Sequence, residues 1–123
     1  MDTKGGRYTI DIGGRRFSGR SEGKVRPARA VNANGVNWDG SAYSSVAPKL
    51  ASIELSFDRG QGIPWDETML LQKPDVTFEE TDAGVVHYLT AAGWDGEPEI
   101  NTKDGEVTGL KLESDQYRWA RTR

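Results

Sequence analysis

The chain of 123 residues contains no cysteine, a single histidine and no long apolar run. Without thiols it can form neither disulfides nor cysteine-ligated metal sites, so its core alone must stabilise the fold. The longest apolar runs, such as Met69-Leu70-Leu71, fall far short of the roughly 20 residues that a bilayer span requires. The polar start Met1-Asp2-Thr3-Lys4 has no signal-peptide segment. We therefore expect one domain over residues 1–123 that does not cross a membrane and stays in the cytoplasm where it is made.

Positive charge is scarce outside the first quarter of the chain. Residues 66–115 hold thirteen acids and three lysines, whereas residues 1–30 carry a balance of +5 within a net charge of −3. This pattern is typical either of an uneven solvated surface or of a basic patch that meets an acidic patch on the next identical copy. An acidic pI near 5.2 argues against nucleic-acid recognition, which depends on a dominant positive field.

Alternation of apolar and polar residues indicates a sheet protein. A hairpin is expected over residues 7–18, with its turn at Gly13-Gly14. Residues 24–31 should be extended at an edge or a bulge, because Pro27 removes a ladder donor. The clearest strand, residues 52–58, should direct Ile53, Leu55 and Phe57 to the core and Ser52, Glu54, Ser56 and Asp58 to water.

The second half of the chain continues this pattern. One helix is expected over residues 64–72, with Pro64 at its first position and Lys73-Pro74 after its end. Strands should follow at residues 76–79, 85–90, 107–113 and 116–119, with residues 85–90 central and turns at Asp95-Gly96 and Asp104-Gly105. The predicted fold is a mainly β, antiparallel sandwich or barrel with one short helix.

The segment between the two extended stretches, residues 32–51, is rich in Asn, Gly, Ser and Ala. We predict a long extended loop here, and loops of about 20 residues inside compact domains tend to be functional or disordered. Its apolar residues are costly to leave in water, so the loop either docks onto another molecule or folds back on its own subunit. We favour docking. The apolar residues concerned are Trp38, Tyr43, Val46 and Leu50.

Residues that could support catalysis or metal binding are few. His87 lies within an apolar strand pattern, where a packed or surface imidazole is commoner than a base or ligand. The acids around Glu79 lack the spacing of a calcium loop, and the glycine pairs lack the Lys-Ser/Thr of a phosphate-binding loop. We therefore expect neither an enzyme nor a bound cofactor. Four tryptophans leave a second possibility, a monomeric carbohydrate-binding β-sandwich with a platform of Trp38 and Trp94.

Several segments resemble the tail tube protein family of contractile-tailed, Mu-like bacteriophages. They are Arg7-Tyr8-Thr9-Ile10-Asp11-Ile12-Gly13-Gly14-Arg15-Arg16, Trp65-Asp66-Glu67-Thr68-Met69-Leu70, Asp75-Val76-Thr77-Phe78-Glu79-Glu80-Thr81-Asp82-Ala83-Gly84-Val85-Val86-His87, Gly105-Glu106-Val107-Thr108-Gly109-Leu110 and Ser114-Asp115. The similarity extends over residues 5–119, with residues 75–87 the most specific part. The loop at residues 32–51 resembles the family least.

The resemblance implies a structural protein of the virion, assembled in the host cytoplasm. Such proteins form hexameric rings that stack into a hollow tube, through which genomic DNA passes without sequence-specific binding. Implied partners are further copies of the chain, the tail sheath protein, the tape-measure protein, and the baseplate and tail terminator proteins. The same fold serves phage-like bacteriocins and type VI secretion systems, so a tube subunit of such a machine is the alternative within this class.

Two sets of site residues follow from combining this role with the sequence pattern. A polar or acidic lining of the lumen would repel DNA phosphates, so we expect the water-facing sides of the strands to line it. The predicted lumen-facing residues are Glu54, Ser56, Asp58, Thr77 and Glu79. Contacts between subunits should come from the loop and from the basic N-terminal region. The predicted interface residues are Asn34, Trp38, Asp39, Tyr43, Val46, Leu50, Arg15 and Arg16.

Overall fold

A computed structural model of the protein describes residues 4–122, so residues 1–3 and 123 of the predicted domain lie outside the described residues. The described chain is mainly β and antiparallel, which confirms the predicted fold class, but its sheets stay open and do not close into a barrel. The elements are β1 (Tyr8–Ile12), β2 (Arg15–Phe17), β3 (Lys24–Arg26), β4 (Ala30–Val36), β5 (Ala42–Pro48), β6 (Ala51–Glu54), β7 (Phe57–Asp58), α1 (Glu67–Leu70), β8 (Val76–Glu80), β9 (Val85–Leu89), β10 (Gly93–Asn101), β11 (Glu106–Ser114) and β12 (Tyr117–Arg121).

Two sheets face each other and form the body of the molecule. The five-stranded sheet has the order β12-β9-β8-β1-β2, and the four-stranded sheet has the order β10-β11-β6-β3, with β7 added beside β11. One buried apolar cluster fills the space between them, as in a β-sandwich. The largest fully buried side chains are Phe57, Ile10, Ile53, Leu89, Leu112, Val76 and Val107.

The strand predictions for the body are largely confirmed. Gly13 and Gly14 have φ values of +61° and +82° between β1 and β2, as a two-residue hairpin turn requires. β3, which Pro27 follows, is an edge strand of the four-stranded sheet. β9 lies between β8 and β12, so residues 85–89 are interior as expected.

Three local predictions are wrong. The helix is a single turn, Glu67–Leu70, and it starts later than residue 64. Trp65 has a left-handed φ of +44°, and the Asp66 carboxylate caps the first turn by accepting the Met69 N–H at 3.2 Å.

The expected turn at residues 95–96 is a β-bulge inside β10. Gly96 comes so close to the Gly109 carbonyl that a Cβ on Gly96 would lie 2.0 Å from the carbonyl oxygen.

The third error concerns residues 52–58, which do not form one strand with a wet face. β6 ends at Glu54 and β7 begins at Phe57, and between them the chain turns toward the β2–β3 connection, where Ser56 N–H donates to Ser21 Oγ at 2.9 Å. Ile53, Leu55 and Phe57 are buried as expected. Ser52 and Ser56 are buried too, and Ser56 Oγ donates to Glu106 at 3.1 Å.

Residues 32–51 form a regular hairpin where an irregular loop was expected. β4 and β5 pair from Ala30↔Pro48 to Val36↔Ala42 as a separate two-stranded sheet. At the tip, Asn37 N–H donates to the Ser41 carbonyl and Gly40 has a φ of +89°. Gly35 lies under the Tyr43 ring, which occupies the space a side chain would need. We call the segment of residues 30–48 the arm.

Candidate assembly surfaces

The arm carries most of the predicted interface residues. Asn34, Tyr43 and Val46 are exposed on its strands, and Trp38 at its tip is fully exposed. Leu50 lies just beyond the arm, where the chain enters β6, and is 44% exposed. Exposed apolar side chains concentrated on one projecting hairpin are typical of an interaction surface.

The tip of the arm holds a fixed carboxylate beside Trp38. Asp39 Oδ1 accepts hydrogen bonds from the Ser41 hydroxyl at 2.6 Å and from the Ser41 N–H at 2.9 Å. These bonds favour the ionised form and hold the pKa of Asp39 below its usual value. An aromatic ring and a negative charge are therefore presented side by side.

Half of the eight cations in residues 1–30 form ion pairs within the same chain. Arg7 pairs with Asp82 at 2.7 Å, Arg16 with Asp11 at 3.1 Å, Arg20 with Asp58 at 2.5 Å and Arg26 with Glu54 at 2.9 Å. These ion pairs reduce the free positive charge of the N-terminal region, so the basic patch, one of the two possibilities that the sequence left open, is smaller than the count of cations indicates. Arg15 and Arg29 differ, since within the described residues they donate to backbone carbonyls, Arg15 to those of Gln61 and Gly62 and Arg29 to those of Lys49 and Asp115.

The outer face of the four-stranded sheet carries a row of alternating charges. Asp95 lies opposite Lys111, Lys111 opposite Glu54, and Glu54 opposite Lys24 across neighbouring strands. The Arg26 hydrogen bond is the main cause that lowers the pKa of Glu54, with smaller contributions from Lys24 and Lys111. Each charge in the row therefore has an opposite neighbour on the next strand.

The five predicted lumen residues divide between surfaces. Glu54 and Asp58 lie on the outer face of the four-stranded sheet, because their neighbours Ile53 and Phe57 are directed into the core. Thr77 and Glu79 lie on the outer face of the five-stranded sheet, between the buried residues of β8. These two faces are on opposite sides of the sandwich, so they cannot line the same bore, and Ser56 is buried.

His87 is packed inside the body, as expected. Its Nε2 lies 2.5 Å from Glu80 Oε2 and its Nδ1 lies 2.6 Å from the Tyr117 hydroxyl. A neutral ring in this position donates from Nε2 to the carboxylate, which only accepts, and accepts the Tyr117 proton at Nδ1. Burial is the main cause that raises the pKa of Tyr117. Within residues 4–122 no three His, Asp or Glu side chains are grouped as metal ligands.

The tryptophans do not form the carbohydrate platform that the second possibility required. Trp94 packs against Phe17, Phe57 and Trp65 with ring centroids 5.9–6.4 Å apart. Trp38 is at the tip of the arm and exposed. One ring thus belongs to the core cluster and the other to the arm.

Both edges of the four-stranded sheet are unpaired in the described part of the chain, and they differ in charge. β3 contributes Lys24 and Arg26 at one edge, and β10 contributes Glu97 and Glu99 at the other. Pro98 removes one donor from the β10 edge, which leaves residues 93–96 and 99–101 able to form a ladder. Open edges of opposite charge are suited to pairing with one another in two different copies.

The one helix among the described residues is a single turn, and none of them forms a helix long and apolar enough to span a membrane.

Comparisons with known proteins agree with this architecture. The family model described as "Phage tail tube protein" matches residues 1–119. No curated protein sequence matches the chain.

Similar solved structures come from contractile injection systems. A chain from the sheath/tube terminator of an extracellular contractile injection system, PVC, in the extended state has a TM-score of 0.57 at 13% identity, covering 93% of each chain. A chain from the sheath-tube complex of the same system has a TM-score of 0.57 at 15% identity, covering 94% of this chain and 88% of that one. A chain from the tube-terminating cap of the anti-feeding prophage has a TM-score of 0.56 at 14% identity, with the same coverage. At these identities the likeness concerns the fold.

Proposed function

The chain belongs to the phage tail tube protein family, and from that premise we propose that its copies close into hexameric rings that stack into the hollow inner tube of a contractile tail. The phage genome passes through the bore during ejection. The protein acts by forming a wall, without catalysis or a cofactor.

The observation that carries this proposal is the open four-stranded sheet with unlike edges. If β3 of one copy pairs with β10 of the next, Lys24 and Arg26 come close to Glu97 and Glu99. Such a contact joins two different surfaces, and contacts of this kind close into a ring when the rotation between copies is right. Pairing also covers edges that otherwise template aggregation.

The dimensions of such a ring suit the cargo. Six copies with four strands each, spaced about 4.8 Å apart, give a circumference of about 115 Å and a backbone diameter of about 37 Å. Side chains of roughly 5 Å on each wall leave a passage of about 27 Å, which a DNA duplex can enter. Strand tilt widens the passage further.

In this arrangement the row of alternating charges, Asp95, Lys111, Glu54 and Lys24, faces the bore, and so does Asp58. Lys111 of the row pairs with Asp95, and Arg26 beside it pairs with Glu54, which reduces the positive charge that the wall offers to phosphates. Thr77 and Glu79 then lie on the outside of the tube, toward a contractile sheath. The other predicted interface residues contact neighbouring copies through the arm and through Arg15 and Arg16.

Further partners follow from this role. The tail sheath protein surrounds the tube, the tape-measure protein fills it during assembly, and baseplate and tail terminator proteins bind its two ends. The proteins similar in fold include a chain of a sheath-tube complex and a tube-terminating cap, which supports sheath and terminator partners here. The subunit assembles in the host cytoplasm and becomes part of the virion. A tube subunit of a bacteriocin or secretion machine is the second candidate, since those particles share the fold.

Electron microscopy of the purified chain at high concentration tests the proposal. We expect rings of six copies and stacked tubes with a central bore. The double variant Lys24→Glu with Arg26→Glu should prevent ring closure, and adding Glu97→Lys with Glu99→Lys should restore it. A chain that stays monomeric at every concentration, or that forms filaments with a solid interior, would contradict the proposal.

A further inference from the structure

A cleft of about 280 Å³ opens beside the β1–β2 turn, and its lining combines apolar side chains with the polar groups of Arg15, Thr68 and Gln72. The short helix, the β1–β2 hairpin and the start of β10 form its walls. Of the described residues that line it, only Arg15 is charged. The apolar lining comes from Ile12, Phe17, Ile63, Pro64, Met69, Pro74 and Trp94.

Arg15, like Arg29, differs from the other arginines of the N-terminal region, which form ion pairs. No carboxylate in the described part of the chain lies within ion-pair distance of it, whereas Arg16 beside it pairs with Asp11. Two backbone carbonyls occupy part of its guanidinium group, which carries five N–H donors. Donors and a full positive charge are therefore available beside an apolar cavity.

The arm tip has the complementary pair of groups. Trp38 is fully exposed, and an aromatic side chain buries roughly 150–250 Å² when it finds a pocket. The hydrogen bonds from Ser41 go to Oδ1 of Asp39, and no hydrogen bond to its Oδ2 is seen in the described residues. The tip thus offers a ring and a carboxylate to a site that offers an apolar cavity and a guanidinium.

The arm and the cleft are associated with different edges of the four-stranded sheet, although most of the cleft is formed by the β1–β2 hairpin and the segment of residues 63–74. The arm continues from β3 at one edge, whereas Trp94 of the cleft belongs to β10 at the other edge. The arm tip does not enter the cleft of its own chain, as the full exposure of Trp38 demonstrates. In a head-to-tail contact, however, the β3 edge of one copy faces the β10 edge of the next.

We propose that Trp38 of one copy inserts into the apolar cleft of a neighbouring copy, where Asp39 pairs with Arg15. This inference rests on the proposed self-assembly and assigns its contact residues. The apolar cavity removes the indole from water, and the ion pair sets the register of the arm. Aromatic and arginine residues in such central positions often carry most of the binding energy of an interface.

Charge reversal at the two positions tests the pairing. Asp39→Arg and Arg15→Asp, each alone, should raise the concentration needed for tube formation about tenfold or more, and the two together should restore assembly. The matched control joins Asp39→Arg with Arg16→Asp, one residue away, and should give no rescue. Circular dichroism of each variant verifies that the monomer is folded.

Photo-crosslinking locates the tip directly. Trp38 is replaced by p-benzoylphenylalanine, which keeps an aromatic ring, and tubes are irradiated and digested for mass spectrometry. We expect adducts between copies on the cleft peptide of residues 63–72. The same replacement at Tyr43, midway along the arm, should not label that peptide.

The outcomes separate this inference from the proposed function. The insertion would be overturned if the unaltered chain forms tubes but the double charge reversal does not restore assembly. It would also be overturned if position 38 labels the cleft peptide no more strongly than position 43. Either result leaves the proposed tube function intact. If the unaltered chain forms no rings or tubes at all, both proposals fail together.

Discussion

The sandwich body and the arm differ in where their apolar side chains lie. In the body, residues such as Ile53 and Phe57 are buried between two sheets, whereas Trp38 and Val36 on the arm face water. A two-stranded hairpin is marginally stable by itself in water. The apolar core of the body is therefore covered within one chain, whereas the apolar residues of the arm are not.

The same difference extends to electrostatics. Carboxylates of the body pair with arginines distant in sequence, as Asp58 does with Arg20. Asp39 on the arm accepts hydrogen bonds only from Ser41, two residues away, within the described chain. Long-range interactions stabilise the body, while the arm is held by local ones, so substitutions should act differently in the two regions.

The largest effect on folding is expected for Phe57→Ala. Phe57 is fully buried and contacts Phe17, Trp65 and Trp94, so its loss leaves a cavity that should lower the free energy of unfolding by about 3–5 kcal/mol. Urea denaturation followed by tryptophan fluorescence measures this change. Val46→Ala on the arm is the control and should change it by less than about 0.5 kcal/mol. Equal losses would contradict the division into body and arm.

Gly109→Ala should give a smaller loss in the body. Gly109 has a φ of +88°, and an added Cβ would lie 2.4 Å from the Glu97 carbonyl oxygen at the β-bulge. We expect a loss of about 1–3 kcal/mol in urea denaturation, since the backbone must shift to accept the methyl group. Gly40→Ala, which meets no atom within 4 Å at the arm tip, is the control for positive φ without a clash. A loss no larger at Gly109 than at Gly40 would argue against the close approach.

Acid should weaken the body through the Asp58–Arg20 pair. The Arg20 hydrogen bond lowers the pKa of Asp58 from its usual 3.8, so the pair stabilises the fold above that pH and the contribution is lost as the pH falls further. Urea midpoints measured from about pH 6 down to about pH 3 should therefore fall less steeply for Asp58→Asn than for the parent chain. Asp39→Asn should flatten the profile less, because the pKa of Asp39 is lowered by hydrogen bonds from the neutral residue Ser41 and not by a guanidinium. An equal or larger flattening at Asp39 would argue against the Asp58–Arg20 pair as the main source of the acid effect.

The smallest effect on folding, and a large one on assembly, is expected for Trp38→Ala. The side chain is fully exposed in the isolated subunit, so the free energy of unfolding should change by less than about 0.5 kcal/mol. Tubes seen in electron micrographs should nevertheless be fewer and shorter. Tubes of normal length would remove the arm from the interface.

Sequence patterns predicted the body better than the arm. Alternation in β1 and β8 and the Gly13-Gly14 turn depend on local chemistry, so they could be read directly. The Asn, Gly, Ser and Ala content of residues 32–51 predicts a loop, yet Gly35 lies within a strand under the Tyr43 ring. The cleft could not be predicted, since Trp94 and Arg15 meet only through tertiary packing.

The lumen prediction had a similar limit. Period-two alternation predicts that the side chains of Glu54 and Glu79 point away from the core. It does not predict that the two residues lie on outer faces on opposite sides of the sandwich. The sequence also did not predict the ion-pair partners of Arg16 and Arg26. Asp11 lies across the β1–β2 hairpin from Arg16, and Glu54 lies on the strand that pairs with the strand of Arg26.

Whether a sheet has an even or an odd number of strands decides how its two edges can join in a closed ring. In an antiparallel sheet of four strands the first and last run in opposite directions, whereas in the five-stranded sheet both outer strands run the same way. Copies related by rotation about a common axis would meet at an antiparallel seam along the four-stranded sheet and at a parallel seam along the other. Only the former repeats the ladder geometry already present inside each subunit, so a wall made from it would have no weaker joint where one polypeptide stops and the next begins.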